Sequence, residues 1–349
     1  GEEVFVKLIS SIESGNPHPA IEGIVFYRDG LFQNDSKIAI LDNLDDLPII
    51  TFDLVEQGTT FSPKIVSSRG CPFHCSFCSI SAFYGGKYRQ RSVSDVIADI
   101  ENYIEWGYDS FWFHDDNLTV DGAWVREFCN TLLERKIKIS WNCMSRIDTI
   151  VNDPDLIKLM AKCGCKLLAI GIESGIPEVL EKMHKKIDPE KINRAIDILN
   201  RIKISHNWYM ILGSGDEFDT PEYIEKNIKF FQSHRFGYVL ISILTPFPGT
   251  ELYHKLASEG RILHKDYEKY DIVHCVYQPL GMTPSQMESY LPKAYLKVYL
   301  AKGWRLLPLF IGSIASGAIR FSMISGALKA MFKTVFLKMN FNDALSKKR

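Results

Sequence analysis

Apolar runs alternate with amphipathic segments from residue 64 to residue 244, and this alternation constrains the fold more than any other feature of the sequence. The runs that predict strands are residues 64–68, 109–114, 138–143, 166–172, 206–212 and 238–244. Helical periodicity predicts helices over residues 94–107, 121–135, 154–162, 189–201 and 220–233. Strands that alternate with helices form parallel sheets with right-handed crossovers. The predicted fold class is therefore α/β, a partial (β/α)6 barrel of the TIM type.

Capping residues mark the starts of two of these helices. Ser94 is the predicted cap of the helix over 94–107, and Asp153 with Pro154 opens the helix over 154–162. In barrels of this kind, chemistry takes place at the carboxyl ends of the strands. The residues that directly follow each apolar run are therefore candidate site residues.

The alternating core covers residues 63–285, and the segments on either side of it lack this alternation of strands and helices. Residues 1–40 contain a helical segment and then two apolar runs around Asp29-Gly30, which is typical of a β-hairpin. Residues 41–62 are acidic, aperiodic and contain proline, as linkers do. Residues 286–349 predict a helical and basic extension, with nine Lys or Arg against one acid from Lys302 onward.

The formal charge of −1 argues against a nucleic-acid-binding protein, because such proteins carry a basic excess. Eight cysteines in 349 residues are too few and too unevenly spaced for a disulfide framework. Clustered thiols in a reducing compartment indicate metal binding or catalysis. A cytoplasmic protein is therefore expected.

Three of the cysteines, Cys71, Cys75 and Cys78, form a C-x3-C-x2-C motif just after the first predicted strand. Iron–sulfur clusters are held by cysteine thiolates, and a [4Fe–4S] cube normally takes four. Three thiolates leave one iron open to another ligand. A structural zinc site usually needs a second pair of ligands at matching spacing, and no such pair follows in the sequence.

This motif, with Phe77 immediately before the last cysteine, resembles the radical S-adenosylmethionine (SAM) superfamily over roughly residues 60–285. The resemblance implies that Cys71, Cys75 and Cys78 each bind one iron of a [4Fe–4S] cluster, while SAM chelates the fourth. It also implies reductive cleavage of SAM to a 5′-deoxyadenosyl radical that abstracts hydrogen from the substrate.

The same resemblance implies SAM contacts at the strand ends, and no catalytic side chain is assigned. An acidic motif after the second strand would meet the SAM ammonium, an arginine after the third strand would hold its carboxylate, and polar residues after the fourth would meet the ribose or methionine part. A glycine-rich segment near adenine follows the fifth strand. The implied contacts are Phe77, Asp115, Asp116, Asn117, Arg146, Glu173, Ser174 and Gly213. The alternatives are carboxylates that cap the next helix and an ordinary surface arginine.

The opening GEEVF segment, with the helix, hairpin and linker that follow it, resembles the junction found in the cobalamin-dependent branch of this superfamily. That branch includes enzymes similar to magnesium-protoporphyrin monomethyl ester cyclase and several methyltransferases. Residues 1–40 are then the remnant of an upstream cobalamin-binding domain. The Asp-x-His-x-x-Gly motif of many cobalamin proteins is absent, so cobalamin would require that upstream domain.

The expected function is that of a radical SAM enzyme acting on an apolar or lipid-like small molecule, with a flavodoxin, a ferredoxin or a reductase as electron donor. No nucleic-acid partner is expected. Two alternatives remain: a radical SAM methylthiotransferase, and a non-catalytic protein that holds a metal cluster.

The basic extension offers a further contact. An apolar helical face lies beside three lysines, a pattern that favours peripheral contact with an anionic membrane. The apolar face is formed by Phe332, Val335, Phe336 and Met339, and the lysines are Lys329, Lys333 and Lys338. A terminal helix packed on the barrel or on a partner is the alternative.

Overall fold

The computed structural model describes residues 1–16, 21–33, 39–49, 63–235 and 237–300. The chain divides after Pro292 into two units, and the first unit, Gly1–Pro292, contains all the elements discussed below except the end of the last helix. The basic amphipathic face predicted between residues 329 and 339 lies outside the described residues. The membrane contact therefore stays a prediction.

The described residues form strands and helices that alternate through most of the chain. The strands are β1 Phe26–Arg28, β2 Leu31–Gln33, β3 Lys64–Ile65, β4 Ser68–Arg69, β5 Arg89–Gln90, β6 Ser110–Phe113, β7 Ser140–Ser145, β8 Cys165–Glu173, β9 Ser205–Leu212 and β10 Val239–Ile243. The helices are α1 Glu2–Glu13, α2 Ser79–Tyr84, α3 Val93–Glu105, α4 Gly122–Glu134, α5 Ile147–Asn152, α6 Pro154–Lys162, α7 Pro177–Lys182, α8 Pro189–Ile202, α9 Pro221–Ser233, α10 Glu251–Ser258 and α11 Pro284–Leu300.

The predicted parallel sheet is confirmed. Six strands pair in the order β10-β9-β8-β7-β6-β3, and each neighbouring pair is parallel. Helices connect successive strands, as the right-handed crossover of parallel strands requires. The sequential order, with β10 at one edge and β3 at the other, is that of a partial barrel. The predicted fold class is therefore correct.

The first strand is shorter than the predicted strand over residues 64–68. β3 pairs with β6 only over Lys64 and Ile65, whereas Ser68 and Arg69 pair antiparallel with β5. After Ile65 the chain leaves the main sheet, and the hydroxyls of Ser67 and Ser68 donate hydrogen bonds to the Asp115 carboxylate. The apolar pattern of residues 64–68 does not show this change of partner.

The predicted cap of α3 is wrong by two residues. Ser92 is the N-cap, and its hydroxyl accepts a hydrogen bond from the backbone N–H of Asp95 at 3.2 Å. Ser94 lies inside the first turn, where its hydroxyl contacts that of Ser92 at 3.1 Å. The prediction at α6 is confirmed, because Asp153 caps the helix and Pro154 opens it.

Successive side chains along each strand point to opposite faces of the sheet. On the helix-covered face, Phe113 packs against Phe128 of α4 and against Trp141, with ring centroids 5.5 Å apart in both pairs. Phe113, Phe128 and Trp141 are fully buried. Residues of the opposite, inner face remain partly accessible, among them Trp112, Met144 and Tyr209. The inner face therefore offers a surface on which a ligand can lie.

The predicted hairpin is confirmed at β1 and β2. Tyr27 pairs with Phe32, and Arg28 pairs with Leu31 across a two-residue turn. Asp29 and Gly30 have φ values of 53° and 79°, and a two-residue turn of type I′ requires positive φ at both positions.

The predicted linker lies partly outside the described residues, since residues 50–62 are not described. Its first part contacts the core. Leu44 is buried in a short 3-10 turn, and Asp45 accepts a hydrogen bond from the N–H of Ser92 at 2.8 Å. Among the helices that the structure describes, none is both long enough and apolar enough to cross a lipid bilayer.

Candidate functional site

The three clustered cysteines lie on a loop, residues 70–78, which we call the cysteine loop. Gly70 begins it with a φ of +91°, and a Cβ at this position would lie 2.0 Å from the carbonyl oxygen of Lys87. The N–H of Gly70 donates to the Asp116 carboxylate at 3.0 Å. Only glycine fits this entry to the loop, because both the backbone angle and the close approach exclude a side chain.

The middle of the cysteine loop is clamped by two helices. The N–H of Ser76 donates to the carbonyl of Met183 at 3.2 Å, and its hydroxyl donates to the carbonyl of Lys182 at 3.1 Å, both at the end of α7. The carbonyl of Ser76 accepts from the N–H of Leu252 in α10 at 2.9 Å. These bonds hold the loop at the carboxyl edge of the sheet, where the sequence places it.

Each of the three thiols of the loop is free and partly exposed. Burial raises the pKa of the Cys71 thiol, and the N–H of Phe73 and the charge of Arg146 oppose that rise. Burial also raises the pKa of the Cys78 thiol, which the charge of Lys185 opposes. Burial outweighs the two cations, so the pKa of both thiols is raised overall, and Arg146 and Lys185 only reduce the size of that rise.

Within the described residues, no three Cys, His, Asp or Glu side chains are arranged to hold a single metal ion. A [4Fe–4S] cube differs from a single ion in that each thiolate binds a different iron. The donor chemistry of Cys71, Cys75 and Cys78, on one clamped and partly open loop, fits such a cube.

The two carboxylates of the acidic motif after β6, Asp115 and Asp116, have different contacts. Asp115 is buried and accepts hydrogen bonds from the backbone N–H of Ser67 at 3.3 Å and from the hydroxyls of Ser67 and Ser68. Burial raises the pKa of both Asp115 and Asp116. Asp116 is only partly buried and contacts the cysteine loop through Gly70. Asp116 is therefore the better placed of the two for a ligand, and a SAM contact of Asp115 stays a prediction.

Asn117, the third residue of the motif, caps a short 3-10 turn at Leu118–Val120. Its side-chain oxygen accepts from the N–H of Thr119 at 3.3 Å and from the Thr119 hydroxyl at 3.1 Å. Its Nδ2 is buried and has no partner among the described residues. The next helix, α4, is capped by Asp121, so the alternative of a helix cap formed by this motif is not seen, and the contact of Asn117 with SAM stays a prediction.

Arg146 follows β7 and reaches the cysteine loop. Its Nη1 donates to the Sγ of Cys75 at 3.9 Å, and its guanidinium lies over the ring of Phe73, 3.8 Å from the centroid. It also pairs with Asp148 and donates to the carbonyl of Lys185. The structure therefore brings Arg146 to the cysteines.

Glu173 ends β8 in an unusual backbone conformation. Its φ is +62°, and the pairing of β8 with β9 shifts register between Gly171 and Glu173. The carboxylate turns back over Gly171 and forms a buried ion pair with Lys185 at 3.1 Å. Lys185 was missed from the sequence, because nothing in the sequence distinguishes it from its neighbours Lys182 and Lys186.

The remaining predicted contacts lie around the same edge of the sheet. Ser174 is fully buried, and its hydroxyl accepts from the N–H of Ile176 at 3.1 Å. Gly213 follows β9 with a φ of +97°, and a Cβ there would lie 2.5 Å from the hydroxyl of Tyr277. Phe77 is half-buried in the cysteine loop. Direct contacts of these three residues with SAM stay predictions.

A polar recess of about 560 Å³ lies beside the cysteine loop. Its walls include Ser76, Lys182, His184, Ser214, Asp216 and Glu251. His184 and Glu251 approach each other to 3.5 Å across it. Ser214 belongs to the loop between β9 and α9. This loop is fixed by the Asp219 carboxylate, which accepts hydrogen bonds from the N–H of Ser214 at 2.6 Å and from the hydroxyl of Tyr277 at 2.9 Å.

Comparison with solved structures gives similar folds. The chain superposes on the cobalamin-dependent SAM radical enzyme OxsB, bound to aqua-cobalamin and SAM, with a TM-score of 0.67 and 13% identity over 88% of this chain and 56% of that one. For the radical SAM methyltransferase TsrM of Kitasatospora setae, with cobalamin and a [4Fe–4S] cluster bound, the TM-score is 0.59 at 17% identity over 74% and 53%. At these identities the likeness concerns the fold.

Sequence relatives agree with the fold. An uncharacterized methyltransferase of Pyrococcus horikoshii is 30% identical over 307 residues, which are 86% of this chain and 66% of that protein. The anaerobic magnesium-protoporphyrin IX monomethyl ester cyclase of Cereibacter sphaeroides is 25% identical over 95% of this chain and 55% of its own length. The chain thus spans between about half and two thirds of these relatives.

The family model of the radical SAM superfamily matches residues 65–230. This range contains the cysteine loop, Asp116, Arg146, Glu173 and Lys185, and the relatives just described extend the similarity over most of the chain. The chain belongs to the radical SAM superfamily.

Proposed function

We propose that this chain is the SAM-cleaving part of a cobalamin-dependent radical SAM enzyme that transfers a methyl group to an apolar substrate. One observation carries the proposal: three partly accessible thiols lie on a clamped loop at the carboxyl edge of a parallel sheet, beside Asp116, Arg146 and the Glu173–Lys185 pair. The partly exposed Asp116 carboxylate at this edge suits SAM, which carries a positive ammonium and a positive sulfonium.

In this proposal Cys71, Cys75 and Cys78 hold a [4Fe–4S] cluster. When bound, the cluster supplies the electron for reductive cleavage of SAM, and a flavodoxin, a ferredoxin or a reductase delivers that electron to the protein. The residues of the chain bind and orient these groups and exclude water from the reacting atoms. Asp116, whose partly exposed carboxylate lies beside the cysteine loop, would accept from the SAM ammonium.

The inner face of the sheet supports an apolar substrate. Trp112, Met144 and Tyr209 alternate with residues that pack under the helices, and they remain partly accessible on the side opposite those helices. Aromatic and thioether side chains present large apolar surfaces to a ligand. Such a surface favours a substrate with a wide apolar framework over a small charged metabolite.

The methyl-transfer part of the proposal is supported by relatives that are methyltransferases. Beside the Pyrococcus protein, the hopanoid C-2 methylase of Rhodopseudomonas palustris is 27% identical over 72% of this chain. Cobalamin enters by analogy with OxsB and TsrM, whose structures contain it. Because this sequence lacks the Asp-x-His-x-x-Gly motif, a further part of the protein would bind the cobalamin.

The proposal is tested by anaerobic reconstitution with iron and sulfide, followed by dithionite and SAM. The wild-type protein is expected to bind about four irons and, with dithionite as the electron source, to cleave SAM to methionine and 5′-deoxyadenosine. Cys75→Ala should lose both properties. Cys275→Ala is the matched control, because this cysteine lies outside the loop and should leave the iron content unchanged.

Two results would contradict the proposal. Iron binding that survives in Cys75→Ala would place the cluster elsewhere. A fully loaded wild-type protein that leaves SAM intact with dithionite would favour the alternative of a non-catalytic cluster-binding protein.

A further inference from the structure

We infer that Arg146 is a positioning residue whose charge raises the reduction potential of the cluster at Cys75, in place of the role as a SAM carboxylate ligand that the family resemblance implies. The inference rests on the proposed function, because it concerns the cluster that Cys71, Cys75 and Cys78 would hold. It is carried by the contacts of one guanidinium with the cysteine loop and with two neighbouring segments.

The guanidinium of Arg146 is already engaged by the protein. Its Nε and Nη2 donate to the same oxygen of Asp148 at 3.2 and 2.7 Å. The Nη2 also donates to the carbonyl of Lys185 at 3.0 Å, and the Nη1 donates to the Sγ of Cys75 at 3.9 Å. Four of its five N–H groups therefore have acceptors.

These contacts leave no pair of parallel N–H groups for a ligand carboxylate. Bidentate binding uses two neighbouring donors of the fork, and only one N–H of Nη1 remains. To bind a carboxylate in this way, the guanidinium would have to release Asp148 or Lys185. The contacts in the structure therefore favour a role toward the cysteine loop.

Packing fixes the guanidinium in this place. The side chain of Arg146 is only 11% exposed, and its guanidinium lies 3.8 Å from the ring centroid of Phe73, which is part of the cysteine loop. A cation over an aromatic face is attracted by the ring electrons. Arg146 is thus held by Phe73 and Asp148 against the loop, and its charge cannot turn away from Cys75 without losing these contacts.

A fixed positive charge beside a ligand sulfur has a defined electrostatic effect. Hydrogen bonds to the sulfurs and local charge are among the factors that set the potential of iron–sulfur clusters. One-electron reduction makes the cluster more negative, so a nearby cation stabilises the reduced form and raises the potential. The Asp148 carboxylate, 2.7 Å from Nη2, offsets part of this effect.

The two residues should therefore act in opposite directions. Removing the charge with Arg146→Gln should lower the potential, whereas Asp148→Asn should raise it, because the guanidinium is then less neutralised and is still held by Phe73, Cys75 and Lys185. Arg146→Lys keeps a positive charge and should stay near the wild type. A residue with a purely structural role would not give shifts of opposite sign.

The test is a potentiometric titration of the reconstituted cluster, followed by electron paramagnetic resonance, in the wild-type protein and the three variants. Arg146→Gln is expected to reduce the one-electron equilibrium constant about tenfold, which corresponds to a decrease of about 59 mV. Arg146→Lys should change it by less than about threefold on the same scale. Arg126→Gln is the matched control, because Arg126 also pairs with a carboxylate, that of Asp153, but lies on α4.

An unchanged potential in Arg146→Gln with normal iron content would overturn the inference and leave the proposed function intact. The same downward shift in Arg146→Lys as in Arg146→Gln would also overturn it, because packing and not charge would then be the cause. If Arg146→Gln fails to assemble a cluster, an upward shift in Asp148→Asn supports the inference, and no shift overturns it. A wild-type protein that holds no cluster would overturn both the inference and the proposed function.

Discussion

At the scale of single residues, the end of β8 has an unusual backbone conformation near the site. Glu173 has a φ of +62°, and a non-glycine residue in the left-handed region costs about 1–3 kcal/mol. The bulge beside it turns the carboxylate back over Gly171 to meet Lys185 at 3.1 Å. Such strain persists only where the surroundings over-determine the conformation, and it is typical of ligand sites.

Gly171 is the residue that makes this geometry possible. A Cβ at position 171 would lie 2.4 Å from Oε1 of Glu173 and 3.1 Å from Nζ of Lys185. Gly171→Ala should therefore displace Glu173 and break the ion pair, and separating a buried pair costs about 3–5 kcal/mol. We expect a lower free energy of unfolding in urea and weaker SAM binding by the reconstituted variant.

The control for this prediction is Gly122→Ala. A Cβ at Gly122 would meet Leu156 at an ordinary 3.5 Å, and the residue opens helix α4, so no loss of SAM affinity is expected. Normal SAM affinity in Gly171→Ala would show that the Glu173–Lys185 pair does not shape the SAM site.

At the scale of elements, the N-cap of α3 in the structure differs from the N-cap that the sequence predicts. Ser92 accepts from the N–H of Asp95, whereas Ser94 is the second residue of the helix. Ser92→Ala should lower the free energy of unfolding by about 1 kcal/mol, because the N–H of Asp95 loses its acceptor. Ser94→Ala should have a smaller effect, and equal losses in urea unfolding would argue against this assignment of the cap.

The first helix is tied to the strand that precedes the cysteine loop. Glu2 of α1 forms an ion pair with Arg69 of β4 at 2.6 Å, and its hydrogen bond to Arg69 lowers the pKa of Glu2 to about 2. A lowered carboxyl pKa stabilises the fold above the unfolded value, and this stabilisation is lost as the pH falls through the folded value. The pair is half-exposed, so it contributes at most about 1 kcal/mol.

Glu2→Gln should therefore lower the free energy of unfolding at pH 7, and the difference from wild type should shrink as the pH falls below the ordinary glutamate pKa of 4.5 toward about 2. Urea unfolding at about pH 7 and about pH 3 measures this difference. Glu3→Gln is the control, because Glu3 contacts Lys7 only weakly at 3.8 Å on an exposed surface. A difference that stays constant with pH would contradict the ion-pair explanation.

At the scale of the whole molecule, a parallel sheet in sequential order gathers distant segments at one edge. The cysteine loop follows β3, Asp116 follows β6, Arg146 follows β7 and Glu173 ends β8. Because all carboxyl ends of parallel strands lie on the same side, these residues meet without any long connection. The site is therefore a property of the sheet as a whole, and a ligand that bridges its parts should stabilise the fold.

Binding of SAM should thus be visible in global stability. At a SAM concentration about 100 times the dissociation constant, the free energy of unfolding should rise by about 2.7 kcal/mol. Thermal melting of the anaerobically reconstituted protein, with and without SAM, measures this rise. Cys75→Ala, prepared in the same way, should show a smaller rise or none, and an equal rise would place SAM binding away from the cluster.

Local patterns in the sequence were sufficient to predict the parallel sheet, the hairpin, the cap of α6 and the position of the cysteine loop. Each of these depends on short spacing: apolar periods for strands and helices, Asp29-Gly30 for the turn, and C-x3-C-x2-C for the loop. Parallel strands covered by helices are apolar enough to be recognised from such patterns.

The contacts of the polar site residues, by contrast, depend on tertiary packing. Asp115 meets Ser67 across 48 residues, Arg146 meets Lys185 across 39 residues, and Arg146 meets Cys75 across 71 residues. No sequence period covers such separations, since they depend on which strand ends become neighbours in the sheet and on how a bulge turns one side chain. The sequence could therefore predict which strand ends carry polar side chains at this edge, whereas Lys185 and the partners of these side chains depended on the tertiary structure.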